Sequence, residues 1–381
     1  MKKLSVLKVL ASISSLFVFS IPVQSAGATG ESGVESFEIS EKIVKKTDCF
    51  SPDIECSFTI STEENTARTK TLINDTETGW YWGKEGLISF SDSSYQSTAS
   101  ILFSPELSET GLSEVKKELP VYINTAMLDS DSELKPNVYR FRITESTTDF
   151  EGLINDQNTE RFVYLYIVYK NGTDISDGLK VEKAVTTYEK DGREVKTDSL
   201  EWSKDFDSNT YELRLKKKVT GNMGDKNADF NFTLNIAPSD EGEKYLLSYI
   251  SPSGKAPVEV TGGKSVSILL KHGEEIAVSG LSKSDAVKIS EDDYSDDGYT
   301  TSDSAENITD TSADPRTFSG SLVNDPETSD LKATVEFVND KEVPIAMGVV
   351  REYGAYIGLT AISLAGGTLL CISNRKNRKN Q

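Results

Sequence analysis

The stretch YELRLKKKVTGN, residues 211–222, alternates apolar and polar side chains. Leu213, Leu215 and Val219 fall on one row, and Lys217 completes it. A period of two is that of a half-buried strand, so this chain lines up an amine with its core. The same break recurs further on. In AVKISE (286–291), Val287 and Ile289 share a face with Glu291. In TVEFVN (334–339), Val335 and Phe337 share a face with Asn339. Three apolar rows thus end in an amine, a carboxyl and a carboxamide.

Working outward, the pattern is strand after strand. ECSFTIS (55–61), VYRFRITE (138–145), RFVYLYIVYK (161–170), DFNFTLNI (229–236) and ATVEFVND (333–340) are rich in threonine, valine and aromatics. YKNGTD and EKDGRE carry Asn-Gly and Asp-Gly hairpin turns. Only GLSEVKKEL (111–119) shows a weak helical period. The expectation is an all-β chain built from β-sandwiches.

The chain also repeats itself. KIV (42–44) and KKV (217–219) are each followed by a loop and then by SFTI or NFTL. VYRFRITE and AVKISE each end in a glutamate. Two tandem sandwiches are expected, over residues 26–206 and 207–342. The polar segment 293–330 reads as a solvated excursion of the second, holding a strand or two.

The ends carry addresses. Lys2, Lys3 and Lys8 precede an apolar run and then small residues, the pattern of a signal peptide over 1–25. Residues 354–373 are 20 without a charge, expected to form a transmembrane helix, and Arg375, Lys376, Arg378 and Lys379 follow on the cytoplasmic side. The segment between is expected outside the cell. With 61 acidic against 41 basic residues and a net charge of −20, nucleic acid is not an expected partner. Cys49 and Cys56 are candidates for a disulfide across FSPDIE, and Cys371 reads as apolar filler in the span. The single histidine, His272, reads as a solvated residue at a hairpin tip. No hydrolase triad and no zinc spacing can be assembled, so no cofactor, metal or enzymatic turnover is expected.

The three inward polar groups can nonetheless react once. Burial disfavours an ammonium and leaves a neutral, nucleophilic amine at Lys217. The Asn339 carboxamide is the electrophile. Glu291, kept protonated by the same apolar setting, polarises the amide and carries protons to departing ammonia. The product would be a Lys–Asn isopeptide bond between the first and last strands of one unit. The competing reading has each residue reaching solvent at a strand end.

LKKKVTGNMGDKNADFNFTL (215–234), VKISEDDYSDDGYTT (287–301) and VEFVNDKEVP (335–344) resemble the streptococcal-type pilin isopeptide-linkage domain of Gram-positive surface and pilus proteins. The resemblance implies a CnaB-type, immunoglobulin-like sandwich, with Lys217, Glu291 and Asn339 in the bonding positions. It implies proteolytic toughness too. The first unit is similar to the N-terminal domain of the same proteins and puts Lys42 and Glu145 in the lysine and glutamate positions. It departs at SLEWSKDF (199–206), where Lys204 stands on the Leu200 and Trp202 row in place of asparagine. EVPIAMGVV (342–350) resembles a sortase sorting motif at Val343 and Pro344, without the Thr-Gly that usually follows. Sortase, other pilus subunits and the membrane are the implied partners.

A second function stays open. Trp80, Tyr81 and Trp82 in TGWYWGKEG (78–86) could offer a sugar platform on a membrane-anchored adhesin recognising a glycan or host protein. Alternatively Trp80 and Trp82 are core on one face, with Tyr81 outside.

Overall fold

The structure, a computed structural model, describes residues 33–64, 67–108, 112–171, 178–251, 254–322 and 331–342. The expected signal peptide, the span 354–373 and the Val343-Pro344 motif lie outside the described residues. Among the described residues no helix is long and apolar enough to cross a membrane.

Among the described residues the chain is all-β but for one short helix, Thr125–Ser130, whose N-cap Asn124 accepts a hydrogen bond from the Met127 amide. The weak helical period at 111–119 is overruled. Residues 114–119 of that stretch enter the strand Glu114–Ile123. Val115, Leu119, Val121 and Ile123 all lie at odd positions and all pack on the core, so period two wins. Pro120 also has no amide to give to a helix interior.

Residues 36–205 form a four-stranded and an eight-stranded sheet, and residues 211–340 form a six-stranded and a four-stranded sheet. Each half closes in the same way. The opening strand Ser36–Val44 pairs parallel with the closing strand Leu200–Asp205. In the C-terminal half, Tyr211–Thr220 pairs parallel with Lys332–Asp340. Parallel neighbours need a long crossover, and here the crossover is the rest of the half. The segment 293–330 contributes Thr300–Glu306, which pairs with the closing strand, and Thr317–Ser321, which pairs with Ala286–Glu291.

Each half has its own core. Phe58, Phe141 and Trp202 centre the first, and Phe232, Phe318 and Phe337 the second. Polar contacts join the halves. Lys46 Nζ donates to the Thr210 carbonyl at 2.7 Å, Ser279 Oγ to Asp48 at 2.7 Å, and the Glu151 amide to Asp240 at 2.9 Å.

The expected disulfide is absent. Cys49 and Cys56 are both buried free thiols. Cys56 sits on the strand Ile54–Ser61 and points into the first core. Cys49 packs beside Gly280 of the other half. Burial pushes each thiol up to about 12.

Beside that junction lies a buried acidic pair. Asp285 accepts from the Ser239 and Ser282 amides at 2.9 and 2.8 Å, and the Tyr245 hydroxyl donates to Glu243. Burial, and then the Asp285 charge, push Glu243 from 4.5 up to about 8. The folded state therefore holds a proton here that the unfolded chain has lost. This contribution to stability is complete below pH 4.5 and disappears as pH rises to about 8. Urea melts of the wild type should weaken across that window, and Glu243→Gln should flatten the slope.

Candidate functional site

Lys217, Glu291 and Asn339 meet in the second core. Pairing register places them there. Lys217 lies opposite Phe337, and Val219 opposite Asn339, on the parallel opening and closing strands. On the facing sheet, Glu291 lies opposite Phe232. The two sheets press these rows together, and all three side chains are withdrawn from solvent. Lys217 Nζ is 2.8 Å from Glu291 Oε1, and Asn339 Nδ2 donates to the same oxygen at 3.1 Å. The Asn339 carbonyl oxygen makes no hydrogen bond. Phe230 and Phe232 wall the amine, with ring centroids 4.4 and 5.7 Å from Nζ.

The electrostatics follow from that wall. Burial is the leading cause at both ionisable groups. It moves the Lys217 amine below its usual range and the Glu291 carboxyl above its own, against the attraction each has for the other. Both shifts favour the neutral forms. One carboxyl oxygen thus bridges an amine and an amide that stand on adjacent strands.

His272 is part of the frame. Its Nδ1 accepts from the Val219 amide at 3.0 Å, and the Gly273 amide donates to the Lys217 carbonyl at 2.8 Å. The histidine read as a solvated tip thus pins the strand that carries Lys217.

The N-terminal half corrects one residue. Lys42 does not point inward. It is half-exposed, and its Nζ pairs with Glu201 at 2.9 Å. Ile39, Glu41 and Ile43 hold the inward row, each fully buried. Aligning KIV with KKV misplaced the register by one residue, which turns every side chain to the other face. Glu145 is buried as expected, and its partner is Lys204, whose Nζ contacts Glu145 Oε1 and lies 2.9 Å from Asn155 Oδ1. Glu41 and Asn155 are thus the members that sequence reasoning left out, while Lys204, placed on the inward row, lacked its partner. The Ile39, Glu41, Ile43 alternation was the signal for the first.

Trp80 and Trp82 are buried and pack edge to face at 5.2 Å. Arg140 stacks on them and on Phe162, 3.7 Å from that ring, and pairs with Glu194 at 2.5 Å. This small second core leaves no open tryptophan face for a sugar.

Residues 211–341 match the family described as Domain of unknown function (DUF7601). A pilin of Streptococcus pyogenes serotype M1 is 26% identical over 237 residues, 61% of this chain and 66% of the pilin. The chain is homologous to a streptococcal pilin. This pilin-like chain also aligns with the pilus tip adhesin Cpa of Streptococcus pyogenes, 37% identical over 87 residues, 23% of this chain and 12% of the adhesin. The crystal structure of the major pilin from Streptococcus pyogenes covers 81% of the chain and 99% of the pilin, with a TM-score of 0.48 at 20% identity.

Proposed function

We propose that the chain is a structural subunit of a Gram-positive cell surface or pilus, stiffened by an autocatalytic Lys217–Asn339 isopeptide bond in its second, immunoglobulin-like sandwich. The observation that carries this reading is the convergence of a dry amine, acid and amide on the parallel first and last strands. Homology to a pilin supports the structural role.

The neutral Lys217 amine attacks Asn339 Cγ. Glu291, in contact with both, donates a proton to the amide and accepts one from the amine. The Nζ–Cγ bond forms, the Cγ–Nδ2 bond breaks, and ammonia leaves. The carboxyl ends as it began, and the joined strands hold no substrate for a second round. The protein is its own single-turnover substrate and not an enzyme. On this reading the chain is secreted, held at the membrane or wall through its C-terminal segment with sortase as a partner, and supports adhesion alongside other subunits.

Peptide mapping tests it. A branched peptide joining Lys217 to Asn339, about 17 Da lighter than its two parts, is the expected product of an aminolysis that expels ammonia. The Glu291→Ala variant should give the two linear peptides. Linear peptides from the wild type would overturn the proposal.

A further inference from the structure

The N-terminal half repeats the bonding geometry with its ends exchanged. Glu41 lies opposite Trp202, and Ile43 opposite Lys204, on the parallel opening and closing strands. That is the register of Lys217 with Phe337, and of Val219 with Asn339. Glu145 faces Phe58 as Glu291 faces Phe232. Position for position, a carboxyl stands where the other half has its amine. An amine stands where the other half has its amide. The central glutamate is unchanged.

Burial makes this exchange chemically meaningful. Glu41, Glu145 and Lys204 are all withdrawn from solvent. No donor lies beside either carboxyl oxygen of Glu41, and its acid form hydrogen-bonds to Glu145. An oxygen of Glu41 and one of Glu145 lie within 4.8 Å of each other, while Lys204 contacts Glu145. Unsatisfied oxygens in a dry core are costly and rare. A shared proton with Glu145 holds the Glu41 carboxyl in the same dry pocket as the Lys204 amine.

We propose that the N-terminal half closes a reversed cross-link, an amide between Lys204 Nζ and Glu41 Cδ, formed with loss of water. Burial, then the neighbouring Glu145, push Glu41 up to about 9, so it is a carboxylic acid at neutral pH and can be attacked. Glu145 takes a proton from the Lys204 amine and returns one to the departing hydroxyl. The Nζ–Cδ bond forms, a Cδ–O bond breaks, and one water leaves. No oxidant or cofactor is needed.

Two other uses of the cluster are weaker. Glu41, Cys56 and Glu145 are ligand types for a metal, but a cation already pairs with Glu145. Asn155 is a competing electrophile at 2.9 Å from Lys204 Nζ. Its amide is clamped, however, donating to the Thr148 carbonyl at 2.8 Å and accepting from the Thr148 amide at 3.0 Å. It also belongs to neither terminal strand.

Peptide mapping of the full chain decides. The expected wild-type product joins Lys204 to Glu41, about 18 Da below the sum of its parts, from an acyl transfer that expels water. In Glu41→Gln the linked peptide should keep the wild-type mass, because the same amide forms whether water or ammonia departs. Glu41→Ala and Lys204→Arg should yield linear peptides. Unlinked peptides in the wild type, or a Lys204–Asn155 link, would overturn the proposal. The Lys217–Asn339 bond falls in different peptides, so either reading can fail without the other.

Discussion

Asn339→Ala is expected to lower the melting midpoint of the C-terminal half by about 15–25 °C, the shift that ~5 kcal/mol produces in a unit of this size. The figure comes from chain entropy. A bond between Lys217 and Asn339 closes nearly the whole unit into one loop, and removing such a link releases about 5 kcal/mol of unfolded-state entropy. The lost hydrogen bond to Glu291 adds only ~1 kcal/mol. Glu291→Ala should fall by a similar amount, since it blocks the same bond by another route. The double variant should be little worse than either alone, because both remove one covalent link. Differential scanning calorimetry beside intact mass would show both effects. A midpoint within a few degrees of wild type would mean that no bond was there to lose.

Lys204→Ala is the second large effect, a loss of about 3–5 kcal/mol from the N-terminal half, because it leaves two buried carboxyls without their cation and also removes the proposed link to Glu41, whose chain-entropy worth is of the same order. The variant leaves Glu41 and Glu145 facing each other in a dry core without a cation. The carboxyls can relieve this by holding protons, so the sign of the pH dependence is fixed. Glu41 is already raised above its ordinary 4.5 in the presence of Lys204, which lowers it. Without the amine, the folded state binds protons more tightly still, and its stability must fall as pH rises from acid to alkaline. Denaturant midpoints at pH 5 and pH 8 should therefore diverge far more in the variant than in wild type. Adding Glu145→Gln to Lys204→Ala should recover part of the loss. A flat pH profile for Lys204→Ala would show that the two carboxyls do not share one interior.

How legible was this in the chain? The C-terminal half was easy because its rows are long and clean. Leu213, Leu215 and Val219 define a face without ambiguity, so Lys217 could be placed on it. Glu291 and Asn339 follow from rows just as regular. The N-terminal half was harder because EKIV offers two adjacent charged residues before two apolar ones. A text match to KKV chose Lys42, whereas the buried row Ile39, Glu41 and Ile43 chooses Glu41. Lys204 was visible as an anomaly, but its meaning needed a partner on the facing strand. Asn155 comes from a loop, where no period exists to read. Cys49 and Cys56 misled for a related reason. Nearness in sequence says nothing about two thiols of which one enters the first core and the other packs beside Gly280 at the junction of the halves.

One feature of the topology governs timing. In each half the strands that carry the reacting groups are the first and the last to be made. On the proposed reading the chain is secreted, and the closing strand is still inside while the opening strand is already across. No bond can be struck until the whole unit has emerged and the final edge has docked. Because the proposed step expels a small molecule and does not reverse, it would record completed assembly. Any copy that was clipped, paused or misaligned would leave the cell without that mark.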